Sequence, residues 1–247
     1  MQKKTHKEID RIQKSGNIIK ECHEELHHFI KPGITTLDID SYVESFIRKN
    51  KAYPSLKGFN NYPFATCCSV NQSVAHEPPS KRTLKEGDIV SVDIVANVEG
   101  YHADRCFTYS VGEVDSEMKH LINVADTALK IGVSQCKEGR KISEVGQEIE
   151  DYVLKHQFSI VYQLGGHGIG REIHEEPFFP HLGGIEEGWD FLLEEGMVLT
   201  IEPMLNIGLP EIVLKEDGWT YETIDRKNSA HFEHTILIKD DCAEVLT

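Results

Sequence analysis

Two aspartates lie in consecutive apolar segments, where an isolated charge would be costly. Asp93 is in the first segment and Asp104 in the second. A two-residue turn at Glu99-Gly100 would place Asp104 diagonal to Asp93, and a turn one residue earlier would make the two aspartates direct partners. Either register puts both carboxylates on one face, because side chains alternate along a strand. A three-residue turn would separate them.

Two glutamates occupy similar apolar surroundings later in the chain. Glu202 ends the apolar run 197–201, and Glu233 lies within the apolar stretch 232–238. Few basic residues lie near either glutamate in the sequence, so four buried carboxylates would need another source of positive charge. Two divalent ions would supply four positive charges against four negative ones, with a hydroxide bridging the ions.

A histidine stands in the middle of a glycine-rich segment, Gly165-Gly166-His167-Gly168-Ile169-Gly170. The glycine spacing does not match a phosphate-binding loop. Glycines on both sides predict a tight turn that presents the imidazole, and an imidazole held in this way suits a metal ligand.

Short motifs recur in the same order in two parts of the chain. In each part a Glu-Gly pair is followed, six residues after the glycine, by an acid, and a His-x-acid triplet comes later; the acids are Asp93 and Asp104, then Glu202 and Glu233. This repetition indicates two related halves packed around a shared centre that carries an acid pair from each half.

Hydrophobic periodicity predicts the elements that must position these residues. We expect a long amphipathic helix at about 5–30, a second helix capped by Thr36, and two further helices near 116–133 and 143–156. Strands are predicted at 89–96, 101–111, 198–203 and 231–238. No linker composition divides the chain, which predicts a single catalytic domain over residues 1–247.

Composition narrows the classes of partner. A net charge of −15 disfavours nucleic acid or an anionic membrane as the main partner, and no apolar run reaches the length of a membrane span. No targeting segment is recognisable. The six cysteines follow no metal-binding spacing, and we expect reduced thiols in a cytoplasmic protein.

Taken together, the motifs resemble those of the methionyl aminopeptidases, specifically the short bacterial type I form, over essentially the whole chain. The matching stretches are Ser69-Val70-Asn71 through His76, Gly87 to Asp93, Asp104, Gly166 to Pro177, Thr200-Ile201-Glu202-Pro203 and Phe232-Glu233-His234-Thr235. The resemblance implies an α+β "pita-bread" fold, with pseudo-twofold halves around a central antiparallel sheet.

The same resemblance implies a role for each matched residue. Two divalent metal ions (Mn, Fe, Co or Zn) would be held by Asp93, Asp104, His167, Glu202 and Glu233. Glu202 would also act as general base and acid beside a bridging hydroxide nucleophile, with His76 and His174 contacting the substrate. The methionine pocket would comprise Phe59, Tyr62, Cys67 and Trp219. The implied activity is removal of initiator methionine from nascent protein N-termini, by a monomer working near the ribosome.

Three alternatives stay open at this point. His23-Glu24-Glu25-Leu26-His27 fits the zincin pattern H-E-x-x-H, although a histidine at the edge of the core is favoured for His23. The metal site could instead serve a prolidase or Xaa-Pro aminopeptidase, and a non-catalytic peptide-binding relative is the third interpretation. The chain also has Glu77-Pro78-Pro79 where the family usually has Gly-Ile-Pro, which predicts an extra carboxylate beside the cleft.

Overall fold

The computed structural model describes residues 3–247, apart from the side chain of residue 187. Its four α-helices are α1 (His6–Phe29), α2 (Thr36–Lys49), α3 (Ser116–Gln135) and α4 (Ile142–Lys155). All four helix predictions are therefore confirmed. No helix within the described residues is both long enough and apolar enough to cross a membrane.

The start of α2 differs from the prediction by one residue. Thr35, not Thr36, is the N-cap, and its side chain accepts a hydrogen bond from the backbone N–H of Asp38. The carboxylate of Asp38 in turn accepts from the backbone N–H of Thr35, which completes a capping box. Thr36 is buried instead and donates its hydroxyl to the carbonyl of Ser80.

Within the described residues most strands have five residues or fewer, two have ten each, and all pairings are antiparallel. In chain order they are β1 (Tyr53–Pro54), β2 (Thr66–Val70), β3 (Ser73–Ala75), β4 (Ile89–Val98), β5 (Tyr101–Ser110), β6 (Ser159–Ile160), β7 (Gly166–Gly168), β8 (Glu175–Phe179), β9 (Val198–Ile201), β10 (Met204–Asn206), β11 (Ile212–Leu214), β12 (Tyr221–Thr223), β13 (Ser229–His231), β14 (His234–Ile238) and β15 (Ala243–Val245).

These strands form four sheets. One has the order β1-β4-β2, with β5 also paired to β4; the others are β13-β10-β6, β11-β12-β3 and β15-β14-β9-β7-β8. Hydrogen bonds join the first sheet to its neighbours. The Thr235 hydroxyl accepts from the backbone N–H of Asp104 and donates to its carbonyl, while the Thr108 hydroxyl accepts from the backbone N–H of His231 and donates to its carbonyl.

Each half of the chain packs two helices against antiparallel strands. In the first half, α1 and α2 cover β2, β4 and β5 with a core that includes Ile12, Ile19, Ile39 and Val92. In the second half, α3 and α4 build a separate core with β9, β10 and β14. This division matches the two halves that the repeated motifs indicate.

The register of the β4–β5 hairpin shows which of the possible turns joins the two strands. Val98 pairs with Tyr101, so Glu99 and Gly100 form the two-residue turn, and both have positive φ angles (52° and 83°). Positive φ at both turn positions is typical of the type I′ turn, whose twist suits a hairpin. Asp104 consequently lies opposite Val95 and diagonal to Asp93.

Candidate metal centre and active site

The four acids of the apolar segments line one cavity. Asp93 comes from β4 and Asp104 from β5, Glu202 directly follows β9, and Glu233 lies in the gap between β13 and β14. The predicted continuous strands 198–203 and 231–238 are therefore wrong in one respect: each is interrupted at its glutamate. At these breaks the glutamate side chains do not have to follow the alternation of side chains between the two faces of a strand.

Three ligand-type side chains meet closely at the floor of this cavity. The ligand atoms of Asp104, His167 and Glu233 all lie within 4.8 Å of one another, and all three residues are buried. Glu202 adjoins the group, because its Oε1 is 3.5 Å from His167 Nε2. Asp93 completes the set as a neighbour of Asp104 on the same face of the hairpin.

Desolvation makes the charged forms of these acids unfavourable in the absence of a cation. Burial raises the pKa of Asp93 to about 6 and that of Glu202 to about 8. Burial, with the negative charge of neighbouring acids, raises the pKa of both Asp104 and Glu233 well above the ordinary range. Among the described residues that line the cavity there is no lysine or arginine to offset these charges.

The polar atoms of the site fit divalent cations. Asp93 Oδ1, Asp104 Oδ1 and Glu233 Oε1 are buried and have no hydrogen-bond partner within the described part of the chain. Buried acceptors without partners are rare in folded proteins and need an explanation. Carboxylate oxygens with one imidazole are a donor set suited to divalent transition metals rather than to thiophilic ions.

His167 is held in the tautomer that a metal ligand requires. Its Nδ1–H donates to the Gly168 carbonyl at 2.9 Å, which leaves Nε2 unprotonated in the neutral ring. Burial, with the positive charge that His174 could carry, lowers the pKa of His167 to about 3. The imidazole is therefore neutral at physiological pH and able to donate its lone pair.

The glycines around His167 act through close packing rather than through a turn. His167 lies in strand β7, and none of its flanking glycines has a positive φ angle, so the predicted tight turn is wrong. A Cβ at Gly166 would be 2.5 Å from the Thr200 carbonyl oxygen and 2.6 Å from the Phe179 ring. Glycine is required because β7 lies too close to β9 and β8 for a side chain.

His76 and His174, the two histidines that the resemblance predicts to contact substrate, also line the cavity. Burial, with the nearby His174 ring, lowers the pKa of His76 to about 4, and burial lowers the pKa of His174. The rings of His174 and His167 are 4.4 Å apart between centroids. Both histidines are neutral near pH 7, so they can donate or accept hydrogen bonds with a bound molecule.

The four residues predicted to form a methionine pocket belong to one apolar cluster beside the site. Phe59, Tyr62, Cys67 and Trp219 pack with Leu56, Phe64, Val95 and Ile173. Cys67 lies opposite Asp93 in the pairing of β2 with β4, so the cluster adjoins the acids. The Phe59 ring also contacts the His174 ring, with centroids 5.4 Å apart. The cluster therefore places apolar, polarisable side chains next to the acids, although none of the four predicted pocket residues lines the cavity itself.

Two buried histidines near the site were not assigned a role from the sequence. His231 lines the cavity, and its Nε2 has no hydrogen-bond partner among the described residues. His181 accepts the backbone N–H of Glu202 at its Nε2, 2.6 Å away. His231 appears in the repeated His-x-acid triplet, which was a usable signal, whereas His181 is brought to Glu202 by tertiary packing alone.

Glu77 and His23 each make hydrogen bonds or ion pairs outside the group of acids. The Glu77 carboxylate accepts the backbone N–H of Val70 at 2.8 Å and is 3.6 Å from Arg82, and it does not line the cavity. Glu77 directly follows His76, which does line the cavity, so the extra carboxylate beside the cleft stays a prediction. Both ring nitrogens of His23 are engaged, with the Tyr109 hydroxyl and the Arg105 carbonyl, as expected for a core histidine rather than a zincin ligand.

Comparison with known proteins agrees with this site. A sequence model described as metallopeptidase family M24 matches residues 10–240. The chain belongs to metallopeptidase family M24. As a member of this family it is a hydrolase of peptides, and its fold is the α+β pita-bread fold.

This M24 metallopeptidase is similar to bacterial aminopeptidases over nearly the full length of both chains. Methionine aminopeptidase 1 of Bacillus subtilis is 42% identical over 244 residues, covering 99% of this chain and 98% of that protein. The crystal structure of methionine aminopeptidase from Thermotoga maritima has a TM-score of 0.96 at 40% identity, covering 100% of this chain and 99% of that one. An Xaa-Pro dipeptidase from Bacillus anthracis has a TM-score of 0.74 at 25% identity, and the match covers 99% of this chain but 61% of that one.

Proposed function

We propose that this M24 metallopeptidase removes the N-terminal methionine from nascent proteins, using two divalent ions held by Asp93, Asp104, His167, Glu202 and Glu233. The observation that carries the proposal is the adjacency of two features: a group of buried acids without cationic partners, and an apolar cluster containing a thiol. The acids suit divalent cations, and the cluster suits a flexible thioether side chain. When bound, the ions would acidify water and polarise the scissile carbonyl.

Glu202 is positioned to move the proton. The Thr200 hydroxyl donates to Glu202 Oε1 at 2.6 Å, and the backbone N–H of Glu202 is held by His181. These two bonds fix the carboxylate at the cavity floor, where it can accept a proton from the attacking water. The same group then delivers that proton to the leaving amine, as a general base followed by a general acid.

His76 and His174 bind the peptide as neutral hydrogen-bonding groups. Both line the cavity that contains the acids, His76 directly after β3 and His174 directly before β8. A hydrogen bond to the carbonyl oxygen as it gains negative charge lowers the barrier more than it stabilises bound substrate. Phe59, Tyr62, Cys67 and Trp219 exclude water from the methionine side chain.

Further properties follow as proposals from the same assignment. The chain acts as one catalytic domain and a monomer, in the cytoplasm and close to the ribosome where new N-termini emerge. The six cysteines are free thiols, five of them buried, which supports a reducing compartment. Size-exclusion chromatography with light scattering, and sedimentation with ribosomes, test the oligomeric state and the ribosome association.

Activity after metal removal and replacement tests the proposal. Met-Ala-Ser should remain intact with chelated protein and be cleaved after Mn²⁺, Fe²⁺, Co²⁺ or Zn²⁺ is restored, with two ions bound per chain by elemental analysis. A Leu-Pro dipeptide and an Ala-Pro-Ser peptide serve as competing substrates. If the proline peptides are cleaved and Met-Ala-Ser is not, the prolidase interpretation replaces the proposal. If no peptide is cleaved with any ion, a binding role replaces it.

A further inference from the structure

The cavity that contains the acids extends well beyond them. Its volume is about 620 Å³, within the range of about 300–1,000 Å³ typical of ligand pockets. Its outer part is formed by apolar side chains from two segments, one between β6 and β7 and one that runs from β8 towards β9; these are Tyr162, Leu164, Phe178, Leu182, Ile185 and Trp189. We call this set the aromatic wall.

Exposed aromatic residues are concentrated on this wall. Among the described residues, four Tyr, Phe or Trp side chains are strongly exposed: Tyr53, Tyr162, Phe178 and Trp189. Three of the four line the same cavity. Single exposed apolar residues are normal, but a group of large ones around a cavity marks a binding surface.

The rest of the fold holds the wall in place. Gln163 donates its side-chain amide to the Ile212 carbonyl and accepts the Ile212 backbone N–H, so the segment carrying Tyr162 is fixed to β11. The segment carrying Trp189 is fixed to α4, because the Glu150 carboxylate accepts the Gly183 N–H. Asp190 also accepts the backbone N–H of Ser143 near the start of that helix. A fixed aromatic surface loses little conformational freedom when it binds a ligand.

The charges around the cavity restrict what can bind there. Apart from the acids of the metal centre, the described lining includes one charged residue, Glu186, at the wall. Every charged group of the described lining is thus acidic. An acidic ligand side chain would be repelled, whereas an apolar one would bury surface against the aromatic rings.

The wall and the proposed methionine pocket meet at His174. The His174 ring contacts Phe59 of the pocket cluster, and it also contacts Phe178 of the wall at a centroid distance of 6.1 Å. Of the described lining residues of the cavity, none comes from the four proposed pocket residues. A peptide with methionine in the pocket and its carbonyl at the acids would have this cavity for its remaining residues, and the aromatic wall forms much of the cavity's apolar lining.

We propose that the aromatic wall is a second specificity site, which binds an apolar side chain at the third or fourth residue of the substrate and disfavours an acidic one. This inference rests on the proposed function, and it adds selection by residues beyond the cleaved methionine. The wall starts at Phe178, which lies opposite His167 in the β7–β8 pairing, so the site begins directly beside the metal centre.

A panel of amidated peptides tests the inference. Met-Ala-Ser-Ser is compared with peptides carrying Phe or Glu at the third or fourth residue, and kcat/KM is measured for each. At one of these positions we expect the Phe peptide to exceed the Glu peptide about tenfold, since an apolar contact in a pocket changes kcat/KM by about 10-fold or more. The double variant Tyr162→Ala/Trp189→Ala should reduce this ratio to about twofold or less.

Matched control variants distinguish loss of the aromatic contacts from a general structural defect. Trp189→Phe should retain most of the ratio, because it keeps an aromatic ring. Leu154→Ala removes an equally exposed apolar residue on α4 outside the cavity and should leave the ratio unchanged. A structural fault would lower kcat/KM for all peptides together and keep the ratio, which would overturn the inference. A wild-type Phe/Glu ratio of kcat/KM near one, with Met-Ala-Ser-Ser still cleaved, would also overturn the inference. That result would leave the proposed function intact. Failure to cleave any peptide would overturn both.

Discussion

Replacing one buried carboxyl group of the site should change how the stability of the metal-free protein depends on pH. The perturbation is Glu202→Gln, which replaces the carboxyl group by an uncharged amide of similar shape. In the folded, metal-free protein, burial raises the pKa of Glu202 to about 8. In the unfolded chain the same carboxyl has a pKa of about 4.3.

The sign of the effect follows from these two values. Between them, the folded state keeps the proton and the unfolded state does not, so stability falls as pH rises through the folded pKa. One proton corresponds to about 1.4 kcal/mol per pH unit. From about pH 6 to about pH 9, the wild type should therefore lose about 3 kcal/mol relative to Glu202→Gln. The buried histidines and thiols titrate in both proteins, so their effects cancel in the difference. An ionised Glu202 also raises the pKa values of Asp104 and Glu233, which adds to the loss in the wild type with the same sign.

Urea denaturation of chelated protein measures this difference directly. Unfolding free energies are determined for both proteins at several pH values, and the wild-type value minus the variant value is plotted against pH. Addition of Mn²⁺ should abolish the downward slope, because bound cations favour the ionised carboxylate. A difference that is flat or rises with pH in the chelated proteins would refute the claim that Glu202 is buried beside other acids without a cation.

Three further predictions follow from the same contacts. Glu202→Gln should lower kcat for Met-Ala-Ser by about 10²–10⁴-fold through loss of the general base, measured in the metal-restored protein, and a variant as active as the wild type would exclude this role. Gly166→Ala should destabilise the fold by several kcal/mol (on the order of 3) because its Cβ would meet backbone, whereas Gly184→Ala, with no atom within 4 Å of its Cβ, should keep the wild-type Tm. His23→Ala should lose about 1–3 kcal/mol of stability through loss of the two hydrogen bonds of its buried ring but retain metal binding and activity; loss of bound metal would revive the zincin interpretation.

The first half of the site could be predicted from local rules. Alternation of side chains placed Asp93 and Asp104 on one face for either two-residue turn, and the observed register is one of those two. Helix bounds followed from periodicity for the same reason. Each of these features depends on residues close together in the chain, so the sequence contains the relevant information.

The second half required information that local patterns lack. The glycines beside His167 predicted a turn because glycine is common in turns, yet they are needed for the close approach of β7 to β9. His181 reaches the backbone of Glu202 across 21 positions of sequence. The aromatic wall likewise combines side chains from two segments separated by the His167 strand. Such contacts depend on tertiary packing, which periodicity and turn chemistry do not determine.

The arrangement of the acids explains why the centre should link the two halves of the molecule. Asp104 lies in the first half, whereas His167 and Glu233 lie in the second, and their ligand atoms form one group. The backbone N–H of Glu233 also donates to the carbonyl of Cys106, two residues beyond Asp104 in β5. A cation bound by this group would therefore attract side chains from both halves at once. Without the cation, Asp104 and Glu233 must either keep their protons or repel each other, so metal binding and the closure of the two halves should be thermodynamically coupled.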